Sequence, residues 1–429
     1  MPSATQAEPV TTRCRYCGTE LPGDAEACPS CGHAVSTQST KFALAVTLFL
    51  IFAGFALTQS YVNFHRTIEL SLGRRWFTRG EQAMQANEPK FAAEAYRSAL
   101  NYDRENEQYR LRLAQALLAD HRLPEARAHL ITLWEHEPAD GEINLTLARL
   151  EAQRGTFNEA VRYYNDAING VWQNDPREQR TAARFELARY FIQQGNMARA
   201  QAELLALLAD APSASSDQLT LGQLLLQVHD PAHAVQAFGA LVSKEAGNAQ
   251  AWLGEGQAYL ALGNYAEAER SSSKAVEHDS NLPNARQQLE LTRELLRLDP
   301  ALRGLSLAQR AERVAEAFSA AIAGLSSCAA QKNIDLTAAA PVPPAGAVGT
   351  ASDNGPASPP NALNLLYTSG LQKQRMATEA ALRANPDALE PIMQYVFAVE
   401  RATASVCSDM NLTDRALLTL AQHEGEGLR

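Results

Sequence analysis

The chain has 429 residues and a formal net charge of -10. At about 100 to 200 residues per domain, this length calls for two or three units rather than one core. The acidic balance argues against a nucleic-acid footprint, which needs a basic face to displace counterions from phosphates, so nucleic acid is not an expected partner.

Residues 1–12 are polar, without apolar periodicity, and read as a disordered leader. Residues 13–35 contain CRYCGTELPGDAEACPSCGH, two Cys-x-x-Cys pairs that offer Cys14, Cys17, Cys28 and Cys31. Each pair presents two thiolates from one tight knuckle, and Gly18 and Gly32 after the second cysteines permit the turn. Four sulfur ligands close a tetrahedron with no open position, which predicts a structural Zn2+ in a short zinc ribbon. A redox dithiol is the competing reading. Haem attachment fails, because Gly32 separates Cys31 from His33.

A tether over 36–41 leads to FALAVTLFLIFAGFALTQSYV, Phe42 to Val62, which carries no charge. At about 1.5 Å per residue this stretch matches the roughly 30 Å of a bilayer core and predicts a transmembrane helix over 42–64. Tyr61 and Phe64 suit the interface, and Lys41, His65 and Arg66 bracket the span. A buried core helix and a cleaved signal are the alternatives. A signal has a short basic leader, whereas forty residues with a metal site precede this segment.

From 67 to 280 a 34-residue period predicts stacked helix-turn-helix units. Repeats starting at Gly73, Glu107, Gly141, Thr181, Ser215 and Ala249 align Ala92, Ala126, Ala160, Ala200, Ala234 and Ala268 at position 20. A bulky side chain there would force helices apart. Position 24 carries Tyr96, Leu130, Tyr164, Leu204 and Phe238, with Ser272 departing in the sixth repeat. An extra segment near Asp175 to Arg180 separates the third and fourth repeats. The sixth repeat, AWLGEGQAYLALGNYAEAERSSSKAV, strongly resembles a tetratricopeptide repeat (TPR) through Trp252, Gly256, Tyr259, Gly263, Tyr265, Ala268 and Ala275. Trp76 and Gly80 mark the same positions in the first. The resemblance covers about half the chain.

That resemblance implies a groove lined by positions 2, 5, 9 and 12 of each first helix. The apolar candidates at positions 5 and 12 are Phe77, Met84, Leu111, Leu118, Leu145, Phe185, Ile192, Leu219, Leu226, Leu253 and Leu260. Position 9 adds Arg189 among polar residues. The expectation is a greasy groove with a hydrogen-bonding spine that takes a helix or extended apolar peptide. The Lys and Asn of clamps for acidic chaperone tails are missing from positions 5 and 9.

Residues 281–300 read as a capping helix with a polar outer face, and 301–336 as a further amphipathic helix. A Pro/Ala/Gly-rich stretch at 337–361 reads as a disordered linker, and 362–429 as a small helical bundle with a turn at Asn385 and Pro386. Cys328 and Cys407 could bridge that bundle in an oxidising compartment; two inert buried thiols are the alternative.

The fold expected is therefore all-α: a TPR solenoid with a C-terminal bundle, one transmembrane helix and an N-terminal ribbon. No catalytic constellation emerges, and His121, His129, His136, His229 and His233 read as surface histidines. The function expected is a scaffold or adaptor holding a protein or peptide. The rivals are a metal or redox sensor and an accessory factor of an envelope or secretion complex, with self-association as a further possibility. Reduced thiolates place the N-terminus in a bacterial cytoplasm and the repeats across the inner membrane in the periplasm, although Arg66, Arg74, Arg75 and Arg79 favour the reverse orientation.

Overall fold

The computed structural model describes residues 12–23, 25–35, 38–336 and 359–426. The expected leader up to 11, residues 36 and 37 of the tether, and the linker from 337 to 358 lie outside the described residues. The fold is all-α apart from the ribbon, and the chain divides into two compact units at Tyr163 and Tyr164.

In the first unit, strands β1 (Thr12–Arg13) and β2 (Glu20–Leu21) pair antiparallel beside the four cysteines. Helix α1 (Gln38–Gln85) then runs unbroken for 48 residues. It begins inside the expected tether and continues past the expected end of the span into the first repeat. No Gly or Pro falls between Phe55 and Leu72 to interrupt it. Its apolar stretch is long and apolar enough to cross a membrane, and none of it is buried. Thr47 and Thr58 turn their hydroxyls back onto the Ala43 and Gly54 carbonyls, which removes free polar groups from that surface.

The last turns of α1 pair with α2 (Pro89–Tyr102). Next come α3 (Glu107–Ala119) with α4 (Leu123–His136), followed by α5 (Gly141–Gln153) and α6 (Phe157–Asn169). Helix α6 carries the chain into the second unit. There α7 (Pro176–Gln193) pairs with α8 (Met197–Asp210), α9 (Ser215–Gln227) with α10 (Pro231–Lys244), and α11 (Ala249–Ala261) with α12 (Tyr265–His278). The extra segment ahead of the fourth repeat lengthens α7, which starts five residues before Thr181, at Pro176.

The position-20 alanines, from Ala92 to Ala268, are all fully buried. At position 15 the backbone is left-handed in every repeat. Gly155, Gly195 and Gly263 occupy it at φ 75°, 73° and 73°, whereas Asn87, His121 and His229 hold 58°, 58° and 59°. Two of the histidines thus sit where glycine is least strained.

Helices α13 (Ala285–Leu298), α14 (Leu307–Gln331), α15 (Pro359–Lys373), α16 (Glu379–Ala384), α17 (Leu389–Val406) and α18 (Leu412–Glu426) complete the second unit. Three expectations are corrected here. Helix α13 is not a solvent-faced cap, because α18 packs against it and Thr413 donates to Glu294 at 2.7 Å. The bundle is not a separate body, since Tyr265, Leu295 and Leu298 share one core with Val314, Phe318, Val396 and Leu417. Ahead of the expected turn at Asn385 and Pro386 stand two helices, α15 and α16, with the Thr378 hydroxyl capping the second through Ala381 N–H. Pro359 and Pro360, expected in the linker, form the first turn of α15, where a missing N–H costs nothing.

The unusual Ser272 has a structural reason. Gln288 reaches from α13 to Ser272 Oγ at 3.0 Å and to the Leu253 carbonyl at 3.2 Å, filling the space an aromatic residue takes elsewhere.

Candidate functional site

The ribbon builds its site from two matching knuckles. Gly18 N–H donates to the Cys14 carbonyl at 2.9 Å and Gly32 N–H to the Cys28 carbonyl at 2.8 Å, both glycines having φ above 70°. These turns bring the sulfurs of Cys14, Cys17, Cys28 and Cys31 within 4.8 Å of one another. Cys14 Sγ lies 3.6 Å from Cys31 Sγ, and Cys17 Sγ 3.4 Å from Cys28 Sγ. A tetrahedron with metal–sulfur bonds of about 2.3 Å has edges of about 3.8 Å, so the four donors fit a soft, four-coordinate cation.

The thiol electrostatics agree. Cys17 is pulled down to about 6 by the Thr19 hydroxyl and then by the Thr19 backbone, and Cys14 is lowered by the N–H groups of Tyr16 and Cys17. At Cys31 the His33 backbone favours the thiolate, but burial and the three neighbouring thiols outweigh it and push the group up to about 12. Protons alone therefore leave the cluster partly charged and crowded. A divalent cation would draw all four into thiolates. Tyr16 and His33 stack at 4.1 Å on the ribbon surface.

The predicted groove residues differ in how far they are exposed. Leu118, Leu145 and Phe185 are buried. Phe77, Met84, Leu111, Ile192, Leu219, Leu226, Leu253 and Leu260 are half-buried, so none of the apolar candidates forms an open greasy lining. The reason is packing within each unit. Phe77 stacks on Tyr109 at 4.9 Å, Leu219 packs with Trp252 on the Leu241 cluster, and Leu260 lies against the core built by the C-terminal helices.

The position-9 spine changes character along the repeats. In the first two, Glu81 accepts from Tyr96 Oη at 2.6 Å, and Gln115 donates to Glu142 at 3.0 Å beside Arg112, whereas Arg149 of the third is exposed. In the second unit, Arg189, Gln223 and Gln257 are exposed along successive first helices.

Cys328 and Cys407 are joined in a disulfide between the end of α14 and the C-cap of α17, with Cα atoms 6.0 Å apart. Two further features escaped the sequence reading. One is Glu151, almost fully buried, which takes Arg127 Nε at 3.0 Å, Arg154 and Thr156. These partners outweigh the burial that would raise its carboxyl and hold it below the usual range. The other is Glu400 with Asp414 inside the C-terminal core. Its signal was present in the sequence, since Glu400 falls on the apolar row of Ile392, Val396 and Val399.

Two matches to a family described as Tetratricopeptide repeat cover residues 83–150 and 219–283. No curated protein matches the chain. Among solved structures, pilF of Pseudomonas aeruginosa is 14% identical, covering 51% of this chain and 97% of its own, with a TM-score of 0.37. PilW, described as a widely conserved type IV pilus biogenesis factor, is 18% identical over 51% of this chain and 98% of its own, at 0.38. YrrB, described as a TPR protein with an unusual peptide-binding site, is 17% identical over 46% of this chain and 97% of its own, at 0.35. At these TM-scores the likenesses carry no argument about what this chain binds.

Proposed function

We propose that this chain, a tetratricopeptide-repeat protein, is a membrane-anchored scaffold whose repeats hold a segment of a partner protein. Interaction through stacked helix pairs is what the repeat fold supports, since each pair adds a rigid first-helix surface and no catalytic pocket is required. The finer reading rests on the exposed row of Arg189, Gln223 and Gln257 in the second unit. Side-chain amides and a guanidinium suit a partner segment with free backbone carbonyls or polar side chains. Half-buried Ile192, Leu219, Leu226 and Leu253 beside that row offer small apolar contacts rather than deep pockets.

Sulfur chemistry supports the orientation. Thiols arranged for Zn2+ precede the apolar span, and a disulfide follows it. Thiolate sites persist in reducing compartments and disulfides in oxidising ones, so the ribbon faces a bacterial cytoplasm and the repeats face the periplasm. Zinc in the ribbon would be structural: Cys14, Cys17, Cys28 and Cys31 would hold it, and it would supply folding free energy.

The scaffold reading is tested by site-specific photocrosslinking of the full chain in its native membranes. A photoreactive residue at Gln223 or Gln257 should yield a crosslinked protein, and one at Ser243, exposed on the second helix of the same repeat as Gln223, should not. Equal yields from Ser243 and Gln223 would remove the first-helix face as the binding surface.

A further inference from the structure

Buried polar atoms without a hydrogen-bond partner gather at one place in the C-terminal core. They are Glu400 Oε1 and Oε2, Thr403 Oγ1 and Asp414 Oδ1. The three residues are 1%, 3% and 6% exposed, so water does not supply the missing partners at the surface. Glu400 and Thr403 lie on α17, one turn apart, and Asp414 lies in the first turn of α18. A Cβ at Gly324 of α14 would fall 2.7 Å from both Asp414 carboxylate oxygens, so that carboxylate rests directly against the α14 backbone.

Among the described residues no cation pairs with these carboxylates. From Ala317 to Gln331, α14 carries no titratable side chain except Cys328, which is in the disulfide. On α15, Lys373 lies over the Tyr395 ring. On α13, Arg297 pairs with Glu294 and Glu316. Arg401, next to Glu400 in sequence, donates to the Ala421 carbonyl, and His423 of α18 meets Tyr265 Oη at 2.9 Å. Asp387 and Glu390 are exposed acids, and on α16 half-buried Glu379 takes the Arg383 guanidinium. Two ionised carboxylates in a low-dielectric interior repel each other, and the Asn411 side chain offsets the burial of Asp414 only in part.

We propose that Glu400 and Asp414 hold one proton between them at neutral pH, and that this proton keeps α18 seated on α13 and α17. A protonated carboxyl is both donor and acceptor, so one proton removes a charge and supplies an O–H to the pair. Burial pushes the Glu400 carboxyl up to about 8, with the Asp414 charge adding to it, and burial raises Asp414 as well. An unfolded glutamate ionises near about 4.3. The folded state therefore holds the extra proton between those values, and stability falls as pH rises toward 8, reaching its low plateau above it. The element released is defined by its contacts. Helix α18 leaves α13 when Thr413 parts from Glu294 and His423 from Tyr265, baring the core around Leu295 and Leu298.

The test is amide hydrogen exchange of the full chain in detergent at about pH 6 and about pH 9, corrected for intrinsic exchange. Protection of α18 relative to α8 should fall about tenfold or more at the higher pH, about tenfold being the effect of one pKa unit. Glu400→Gln should flatten that dependence, and an infrared carbonyl band of a protonated carboxylic acid should be present in wild type at pH 6 and lost in the variant. If Glu400→Gln does not fold, Asp414→Asn carries the same comparison. Wild-type protection independent of pH, or a variant with unchanged pH dependence, overturns the proposal. So does restoration at pH 9 by added calcium or magnesium in wild type alone, which would make the pair a cation site.

Discussion

In the N-terminal ribbon four cysteines stand with their sulfurs within 4.8 Å and unjoined, whereas in the C-terminal helices Cys328 and Cys407 are already a disulfide. The backbone around each explains the difference. The ribbon has two strands of two residues and, among the described residues, a core of little beyond Cys14, Leu21 and Cys28, so the proposed metal would supply most of what holds it. The C-terminal helices share an extended core with the last repeat, and there the bridge adds to packing rather than replacing it. One residue type thus serves as a folding ligand in one region and as a staple in the other.

The largest expected effect separates the two regions. Replacing Cys28 by Ser, or chelating the metal, should remove on the order of 10 kcal/mol of metal-linked folding free energy and unfold the ribbon. Amide spectra of residues 13–35 should collapse while the helical circular dichroism stays unchanged. Loss of helix signal would mean the regions are not independent in this respect.

Reduction acts on the other region. The joined residues are 79 apart, so Cys328→Ser with Cys407→Ser should cost about 4 kcal/mol by loop-closure entropy, read as an earlier denaturation of the C-terminal helices. A ribbon that responded to this double change, or a bundle that did not, would break the contrast.

Between these lies Glu151, where Glu151→Gln should destabilise the first unit by about 1 to 3 kcal/mol because Arg127 and Arg154 lose their anion. Its carboxyl is held low in the folded state, so this stabilisation is complete above the unfolded value near about 4.3 and disappears as pH falls through the folded value. Thermal melts in that acid range should show wild type and variant converging; a constant gap would contradict the assignment.

The smallest effect is a gain. His121→Gly or His229→Gly should stabilise by about 0.5 to 1 kcal/mol, because each relieves a left-handed φ. A loss in urea titrations would show that the histidine side chain contributes more than its backbone costs.

What could be read in advance followed periodicity. The alanine row from Ala92 to Ala268 and the cysteine knuckles are fixed by spacing, and the helix pairs and the sulfur cluster match them. The C-terminal helices have no period, and their packing against α13 depends on contacts such as Thr413 with Glu294, separated by 119 residues. The exposure of the groove candidates depends on contacts that one repeat does not show. Position 5 and 12 side chains look available on one repeat, but Phe77 meets Tyr109 of the next and Leu260 meets the C-terminal core. The continuity of α1 is legible in the lack of a helix breaker between the span and Gly73, although the composition changes there.

In the proposed orientation the apolar span separates a reducing side from an oxidising one. A cysteine introduced at exposed Gln236 and a membrane-impermeant thiol reagent applied to intact spheroplasts test it most directly. Labelling at 236 is expected from outside, with the ribbon cysteines labelled only after lysis and chelation. Labelling at 236 only after lysis would contradict that orientation.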